Sequence, residues 1–283
     1  MEYGTTFSAD WLDDLGALRE GASRLDEGGV DFVGHGGHVV TLRPGRYERP
    51  LGTYGVPFRD PIVLYASLAA TTTRLRFRSG ILILPLFPTV HVAKQAAELA
   101  LLSGGRFDLG VGISWNEAEY RAMGQDLSVR GRRFEEQLVV LKRLWSEPLV
   151  TFSGEFHELD ELGLGQLPPN PVPIWVGCGD SDRVLSRVGR LADGWMPTGT
   201  PSAERIAALQ RFAAEAGRAG QVGVTSRIAA RPDDLDAAVG EAKTQLEAGA
   251  TSLSVSPPPG AGLTAGIDAV IATVGHLRQA LTS

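Results

Sequence analysis

The strongest constraint on the fold is a regular alternation of two kinds of segment along the chain. Short runs of apolar and β-branched residues are separated by longer amphipathic stretches, in which apolar residues recur at helical spacing. Strands that alternate with helices predict a parallel sheet that helices cover. The predicted strands are residues 2–7, 30–35, 75–84, 106–111, 173–177, 194–196, 222–230 and 252–255, and the predicted helices are residues 10–27, 61–70, 91–102, 130–145, 182–191, 203–219, 233–248 and 267–281.

Eight parallel strands either close into a barrel or remain an open, doubly wound sheet. An open sheet usually carries a glycine-rich nucleotide loop after its first strand, and residues 4–10 contain none. The alternation therefore predicts an α/β protein, a (β/α)8 TIM barrel that forms one domain over residues 1–283. Residues 147–171 interrupt it, because two short strands (149–152 and 156–159) and a Gly- and Pro-rich segment follow one another there, so we expect an insertion.

Composition and charge exclude several classes of protein. The formal net charge is −6 and no Lys/Arg stripe dominates a segment, which argues against a nucleic-acid partner. The longest apolar run, residues 81–87, is too short to span a bilayer, and the first ten residues lack the pattern of a signal peptide. We therefore expect no membrane partner and a cytoplasmic location. Cys178 is the only cysteine, so a disulfide within the chain is excluded.

Active sites of such barrels lie at the carboxyl ends of the strands, which makes the end of the second strand informative. His35 and His38 follow one another there at a spacing of three. Odd spacing along a strand places two side chains on opposite faces, and no carboxylate or thiol cluster accompanies them, so no metal site is predicted. His38 is a candidate acid/base residue at the mouth of the barrel, the alternative being a structural histidine.

Two further strand ends carry small residues. Residues 112–115 after the fourth strand let a flat ligand approach the backbone, and Trp115 is either a pocket wall or a rim aromatic. Residues 177–181 after the fifth strand directly precede a helix, where backbone N–H groups and a hydroxyl favour an anion. Asp180 would repel that anion and is expected to face solvent. Cys178 has no nearby histidine in sequence to activate it, so we expect a passive thiol.

The sequence resembles the luciferase-like monooxygenases, including their branch that depends on the deazaflavin coenzyme F420. The most specific stretch is Ser103-Gly104-Gly105-Arg106-Phe107, followed by Gly110-Val111-Gly112. The resemblance is clearest over residues 1–200. The other matching stretches are residues 30–33 running to His38, 73–76 through Pro85, 93–95, 132–136, 173–177 and 192–195.

This resemblance implies a (β/α)8 barrel that binds reduced FMN or coenzyme F420 at its carboxyl-terminal mouth. It implies that His38 lies beside the cofactor ring as the catalytic acid/base, and that a cis peptide bond at Gly80–Ile81 supports the back of the ring. It also implies that the phosphate-binding loops are residues 112–115 and 177–181, and that the protein is a homodimer. The cofactor-binding residues predicted in this way are Ser79, Gly80, Ile81, Gly112, Ile113, Ser114, Trp115, Gly177, Cys178, Gly179 and Ser181.

The sequence departs from the family pattern in places. Gly37 stands where an acidic residue commonly precedes the histidine, Gly34 replaces a common aromatic residue, and residues 177–180 are one residue longer than usual. The hypotheses are therefore hydride transfer between coenzyme F420 and a small organic substrate, oxygenation with FMN that a separate reductase supplies in reduced form, or cofactor binding without turnover. A hydrolase would need paired carboxylates at the strand ends, and we find none in the sequence.

We favour coenzyme F420, because Gly80-Ile81 resembles that branch, and a flavin or F420 reductase is a possible partner under either chemistry. Two hypotheses concern the loop after the second strand. Arg43, Arg46 and Arg49 are either contacts for the acidic tail of coenzyme F420 or solvated loop charges, the second being the simpler interpretation. Residues 40–58 are also predicted, together with Phe87 and Trp115, to line an apolar substrate pocket.

Overall fold

The computed structural model describes residues 1–41 and 58–281, and in this part of the chain eight parallel strands close into a barrel. Going around the barrel, the strands follow the order β1, β2, β3, β5, β8, β9, β10 and β11, and β11 pairs with β1. The prediction of a (β/α)8 TIM barrel is therefore confirmed. The strands are β1 (Glu2–Thr6), β2 (Phe32–His35), β3 (Arg76–Ser79), β4 (Leu82–Ile83), β5 (Phe107–Gly112), β6 (Val150–Ser153), β7 (Glu158–Leu162), β8 (Ile174–Cys178), β9 (Gly194–Pro197), β10 (Gly223–Ala229) and β11 (Ser252–Ser256).

Helices follow the barrel strands and pack around them. The eight predicted helices are all present, and a short helix that the sequence did not predict, α4, lies between β5 and α5. Within the described residues, no helix combines the length and apolar character that crossing a membrane requires. The helices are α1 (Leu15–Glu27), α2 (Pro61–Ala69), α3 (Thr89–Leu102), α4 (Glu117–Ala122), α5 (Arg130–Ser146), α6 (Asp182–Leu191), α7 (Ala203–Glu215), α8 (Leu235–Glu247) and α9 (Leu263–Leu281).

The first helix begins later than predicted. Asp14, rather than Asp10, is its N-cap, and the Asp14 carboxylate accepts a hydrogen bond from the Ala17 N–H at 2.9 Å. Residues 9–11 form a separate 3-10 turn. The indole of Trp11 is buried and donates to the carbonyl of Ala261 at 2.9 Å, so a contact with the other end of the chain fixes this turn.

The third predicted strand, residues 75–84, is broken into two pieces. β3 ends at Ser79, the Gly80–Ile81 peptide bond is cis, and the chain resumes as β4. β3 and β4 both pair in parallel with β5, so this break is a bulge within one barrel position. The cis peptide bond is at the position that the family resemblance implied.

A buried arginine fills the interior of the barrel. The Arg78 guanidinium lies between two aromatic rings, 4.2 Å from the Phe32 centroid and 3.8 Å from the Trp175 centroid. Both rings need room, and a Cβ at Gly4 or Gly194 would lie within 2.3 Å of one of them. Glycines at these two positions therefore let the aromatic rings cross the barrel and enclose the charge.

The insertion between α5 and β8 is the expected hairpin. β6 and β7 pair in antiparallel fashion, and the second strand ends three residues later than predicted. One carboxylate of α5 holds the turn, because Glu136 accepts the backbone N–H groups of Glu155 and Phe156 at 2.8 and 2.9 Å. The same carboxylate lies 2.7 Å from Nδ1 of His157. The hairpin is thus fixed to the outer surface of the barrel.

Candidate active site

A cavity of about 550 Å³ opens at the carboxyl-terminal mouth of the barrel. This volume is within the range that is common for small-molecule and cofactor sites, roughly 300–1,000 Å³. The cavity brings together residues from the segment after β2, the β3–β4 bulge, β5 and β8, as expected for parallel strands that end at one face. Ten of the twelve residues predicted for the site line it: His38, Gly80, Ile81, Gly112, Ile113, Ser114, Trp115, Gly177, Cys178 and Gly179.

The two predicted residues outside this cavity have local contacts instead. Ser79 is fully buried, and its hydroxyl donates to the carbonyl and accepts from the N–H of Gly110, both at 2.8 Å. Its side chain thus ties the bulge to β5. Ser181 is an exposed residue at the start of α6, and its hydroxyl forms no capping hydrogen bond. Arg43, Arg46, Arg49 and most of the predicted 40–58 pocket wall lie outside the described residues.

His38 is held at the edge of the cavity by a buried carboxylate. Its Nδ1 lies 3.0 Å from Oε2 of Glu119, and Oε1 of Glu119 accepts the Val39 N–H at 2.6 Å. Glu119 is completely buried, whereas the His38 side chain is 22% exposed. An ionised carboxylate only accepts hydrogen bonds, so Glu119 in its ionised form would accept the N–H of Nδ1 in this contact and leave the ring lone pair on Nε2. The ring of Phe58 meets the imidazole edge-on, with a centroid separation of 4.8 Å.

Glu119 was not predicted from the sequence. It lies on α4, whose N-cap is Asn116, and the Asn116 side-chain oxygen accepts from the N–H groups of Ala118 and Glu119. An Asn followed three residues later by a Glu is a sequence signal for a helix start, and it could have indicated this short helix. Ser114, which lines the cavity just before α4, has a left-handed backbone with φ of 52°.

The other histidine of the pair, His35, lies outside the cavity. It is 3% exposed, and burial lowers its pKa to about 4, so its ring is neutral at physiological pH. Its backbone carbonyl accepts from the N–H of Gly80 at 2.8 Å. β2 ends at His35, so the alternation of strand faces used in the prediction does not extend to His38. Of the two histidines, only His38 lines the cavity.

The chain after β2 closely covers the bulge. The Gly37 N–H donates to the Ile81 carbonyl at 3.3 Å, and His35 binds Gly80 through the carbonyl contact described above. A Cβ on Gly36 would lie 2.7 Å from the Gly80 carbonyl oxygen, which is too close for any side chain. The absence of a side chain at position 36 therefore allows the two segments to meet and to fix the orientation of the Gly80–Ile81 peptide group.

Two observations concern the loop between β8 and α6. Burial raises the pKa of the Cys178 thiol to about 12, which agrees with the prediction of a passive thiol. Asp180 is exposed, as expected. Arg187 of α6 lines the same cavity and was not predicted; it is 5% exposed, and its guanidinium is paired with Glu135 at 2.8 Å. This side of the cavity therefore contains a guanidinium that Glu135 holds in place next to the small-residue loop.

The closed parallel barrel thus places a cofactor-sized cavity and a carboxylate-held histidine at one mouth. The chain belongs to the luciferase-like monooxygenase family, whose model matches residues 6–267. Members of this family are oxidoreductases or monooxygenases, and the similar solved structures include both F420-dependent and FMN-bound proteins.

One sequence relative is the uncharacterised protein Rv0940c of Mycobacterium tuberculosis. It is 42% identical over 168 residues, which are 58% of this chain and 57% of the relative. The matched region is thus just over half the length of that protein.

Two solved structures share the fold across nearly the whole chain. An F420-dependent secondary alcohol dehydrogenase in complex with an F420–acetone adduct superimposes with a TM-score of 0.80 at 17% identity, covering 98% of this chain and 99% of the other. The oxygenating constituent of 3,6-diketocamphane monooxygenase from Pseudomonas putida, in complex with FMN, gives a TM-score of 0.73 at 14% identity, with 98% of each chain covered. At such identities the likeness establishes the fold.

Proposed function

We propose that this protein is a coenzyme F420-dependent oxidoreductase that exchanges a hydride with a carbon atom of a small organic substrate. The observation that carries the proposal is the contact between His38 and the buried Glu119 at the edge of the large cavity. Hydride transfer to or from a carbon that bears oxygen requires a matched proton transfer at that oxygen. A histidine with a defined tautomer beside the cavity provides a group for this transfer.

The residues of the cavity fit a flat cofactor ring. Gly80, Gly112 and Gly177 lie on neighbouring barrel positions and leave a surface without side chains beside Ile81. A Cβ on Gly177 would lie 2.4 Å from Cγ2 of Ile81, so the glycine is required for the close packing of this surface. When bound, coenzyme F420 would supply the site that accepts or releases the hydride.

The remaining steps belong to the chain. Gly80 and Ile81 would support the ring, and residues 112–115 and 177–179 would bind the rest of the cofactor through backbone groups. Arg187, whose guanidinium is paired with Glu135, would donate hydrogen bonds at the end where phosphate is expected. His38 would exchange a proton with the substrate oxygen through Nε2, while Glu119 stabilises the charged imidazole that forms when His38 acts as a base.

A second candidate function is oxygenation with FMN that a separate reductase supplies in reduced form. It is supported by the fold likeness to an FMN-dependent monooxygenase. A third candidate function is cofactor binding without turnover. It is motivated by Gly34 and Gly37, which depart from the family pattern near His38. Homodimerisation and the identity of a reductase stay predictions.

The test is an anaerobic titration of the purified protein with oxidised FMN and with oxidised coenzyme F420, followed by absorbance. The proposal expects coenzyme F420 to bind with a micromolar or lower Kd and at least tenfold more tightly than FMN. Tighter binding of FMN would overturn it in favour of the monooxygenase. If neither cofactor binds, the site assignment itself is wrong. Reduction of bound coenzyme F420 by a panel of secondary alcohols then separates turnover from simple binding.

A further inference from the structure

A second recess lies inside the barrel mouth, next to the large cavity. Its volume is about 190 Å³, and it shares the lining residues Gly80, Ile81, Gly177 and Thr198 with that cavity. The two spaces therefore meet at the bulge that the proposed cofactor ring would contact. A molecule that occupies the recess is placed next to the ring.

Among the described residues that line this recess, the charged ones are two arginines, and none is a carboxylate. Arg78 is buried and already bound to Asp108, with contacts of 2.9 and 3.1 Å to one carboxylate oxygen. Arg227 is different, because it is exposed and has no ion pair within 4 Å with any described acidic residue. The recess thus contains one guanidinium whose charge is not neutralised by a carboxylate from residues 1–41 or 58–281.

The position of Arg227 on its strand explains why it points inward. Alternate residues of a strand face the same side, and Thr225, two residues earlier, contacts Arg78 in the barrel interior at 3.1 Å. Arg227 is therefore the next inward-facing residue towards the mouth, and it lines the recess. Three further hydroxyl side chains line the recess, namely those of Ser254 on the neighbouring strand β11, Thr198 after the neighbouring strand β9, and Thr6 at the end of β1, one position beyond β11.

The recess depends on a glycine on the opposite side. Gly34 of β2 also lines it, and a Cβ built there would meet its nearest neighbours at 3.4 to 3.6 Å, which is ordinary contact. The backbone at this position therefore tolerates a side chain without strain. A larger residue would project into the recess and fill space that is now open to Arg227.

We propose that this recess binds the carboxylate group of a small organic substrate, with Arg227 as its charge partner. This inference rests on the proposed oxidoreductase function and specifies its substrate class. A carboxylate carries one charge and matches the planar fork of a single guanidinium through two hydrogen bonds. A phosphate dianion would leave about one charge unmatched, because Arg78 is already neutralised by Asp108. The hydroxyl groups would bind the remaining carboxylate lone pairs.

The experiment compares matched pairs of a carboxylate and its neutral amide: acetate and acetamide, lactate and lactamide, benzoate and benzamide. Their Kd values are measured by NMR titration, first on the purified protein and then with the tighter-binding cofactor present. At least one carboxylate is expected to bind tenfold more tightly than its amide. Arg227→Gln should reduce that preference to less than threefold, and Gly34→Leu should abolish binding while the guanidinium is retained.

The control is Arg211→Gln, which removes an exposed arginine of α7 that is paired with Glu215 on the same helix. Its carboxylate preference should equal that of the unmodified protein. A wild-type protein that prefers no carboxylate over its amide overturns the proposal, and so does an Arg227→Gln variant that keeps the preference. If Arg227→Gln instead weakens the cofactor tenfold, Arg227 contacts the cofactor and the inference is wrong. If the protein binds carboxylates but neither cofactor, only the proposed oxidoreductase function is refuted and the carboxylate site stands.

Discussion

The fully buried carboxylate of Glu119 lies 3.0 Å from Nδ1 of His38, although 81 residues separate them in sequence. The second oxygen of the same carboxylate accepts the N–H of Val39. One side chain of α4 therefore fixes both the ring and the backbone of the segment after β2. The imidazole is held in one orientation at the cavity edge, which is the arrangement that a positioned acid or base requires.

Replacing Glu119 with glutamine should impair proton transfer and leave cofactor binding intact. The amide nitrogen can donate to Nδ1, which favours the tautomer with the proton on Nε2, where the proposed base needs its lone pair. We expect kcat to fall about 100-fold, within the range that a general acid or base contributes. The KM of the substrate and the Kd of the cofactor should change by less than about twofold. Steady-state kinetics and absorbance titrations measure these quantities.

Glu117→Gln is the matched control for this prediction. Glu117 lies on the same helix, is exposed, and pairs with Arg121 at 2.9 Å on the surface. Its replacement should leave kcat unchanged. If Glu119→Gln weakens cofactor binding as much as it lowers kcat, the role of Glu119 is structural and the positioning argument fails.

The contact between Gly177 and Ile81 should control cofactor affinity. An alanine Cβ at position 177 would lie 2.4 Å from Cγ2 of Ile81, so the Ile81 side chain must move from the surface beneath the proposed ring. We expect Gly177→Ala to raise the cofactor Kd about tenfold. The double variant Gly177→Ala/Ile81→Ala removes the clash, so the loss should be smaller than the sum of the single losses, with a coupling of roughly 0.5–3 kcal/mol.

Gly240→Ala provides the control on α8, outside the cavity. Nothing outside the helix itself lies within 4 Å of a Cβ at Gly240, and the backbone there is not in the left-handed region. Its cofactor Kd should stay within about twofold of the unmodified protein. If the losses of cofactor binding free energy in the two single variants add up to the loss in the double variant, Gly177 and Ile81 act independently.

The barrel strands and the helices that follow them were predictable because local patterns encode them. Strands covered on both faces are nearly continuous apolar runs, and helices show apolar residues at intervals of three and four. Most strand ends agree within one or two residues. The strand ends then located the site, since parallel strands bring their carboxyl ends to one face of the barrel.

The partner of His38 was not predictable in the same way. The contact with Glu119 depends on how α4 packs against the segment after β2, and no local pattern records it. α4 itself has only six residues, which is too short for a clear apolar period. The predicted start of α1 was wrong for a related reason, because Asp10 and Asp14 are equally good N-cap residues in sequence. The contact of Trp11 with Ala261 decides between them.

Asp26 should make the stability of the protein depend on acid pH. Burial raises the pKa of its carboxyl group, but hydrogen bonds from the N–H groups of Thr73, Arg74 and Leu75 and from the Thr73 hydroxyl outweigh this and hold the pKa below its ordinary value of 3.8. A lowered pKa in the folded state contributes stability above the unfolded pKa, and this is lost as pH falls through the folded value. Asp26→Asn should therefore cost roughly 2–3 kcal/mol at pH 7, since an amide oxygen accepts fewer of these bonds.

The measurement for Asp26 is urea unfolding of the unmodified protein and the variant between pH 7 and pH 3. The difference in unfolding free energy should be constant down to about pH 4.5 and should narrow at lower pH. Glu27→Gln, which alters the exposed neighbouring acid, is the control and should change stability by less than about 0.5 kcal/mol. If the unfolding free energies of the unmodified protein and the Asp26→Asn variant differ by the same amount at every pH, the lowered pKa of Asp26 is contradicted.

Two acidic partners of Arg78 should contribute very differently to stability. Asp108 is 2% exposed and binds the buried guanidinium at 2.9 Å, whereas the side chain of Glu2 is 45% exposed and lies 3.4 Å away. Removing the buried partner leaves a charge without compensation inside the barrel, so Asp108→Ala should destabilise the fold by about 3–5 kcal/mol. Glu2→Gln should cost less than about 1 kcal/mol, because water screens the exposed pair. Urea unfolding at pH 7, fitted with one m value for all variants, measures both losses of unfolding free energy. Equal losses for Asp108→Ala and Glu2→Gln would mean that burial does not determine how strongly each carboxylate stabilises the fold through Arg78.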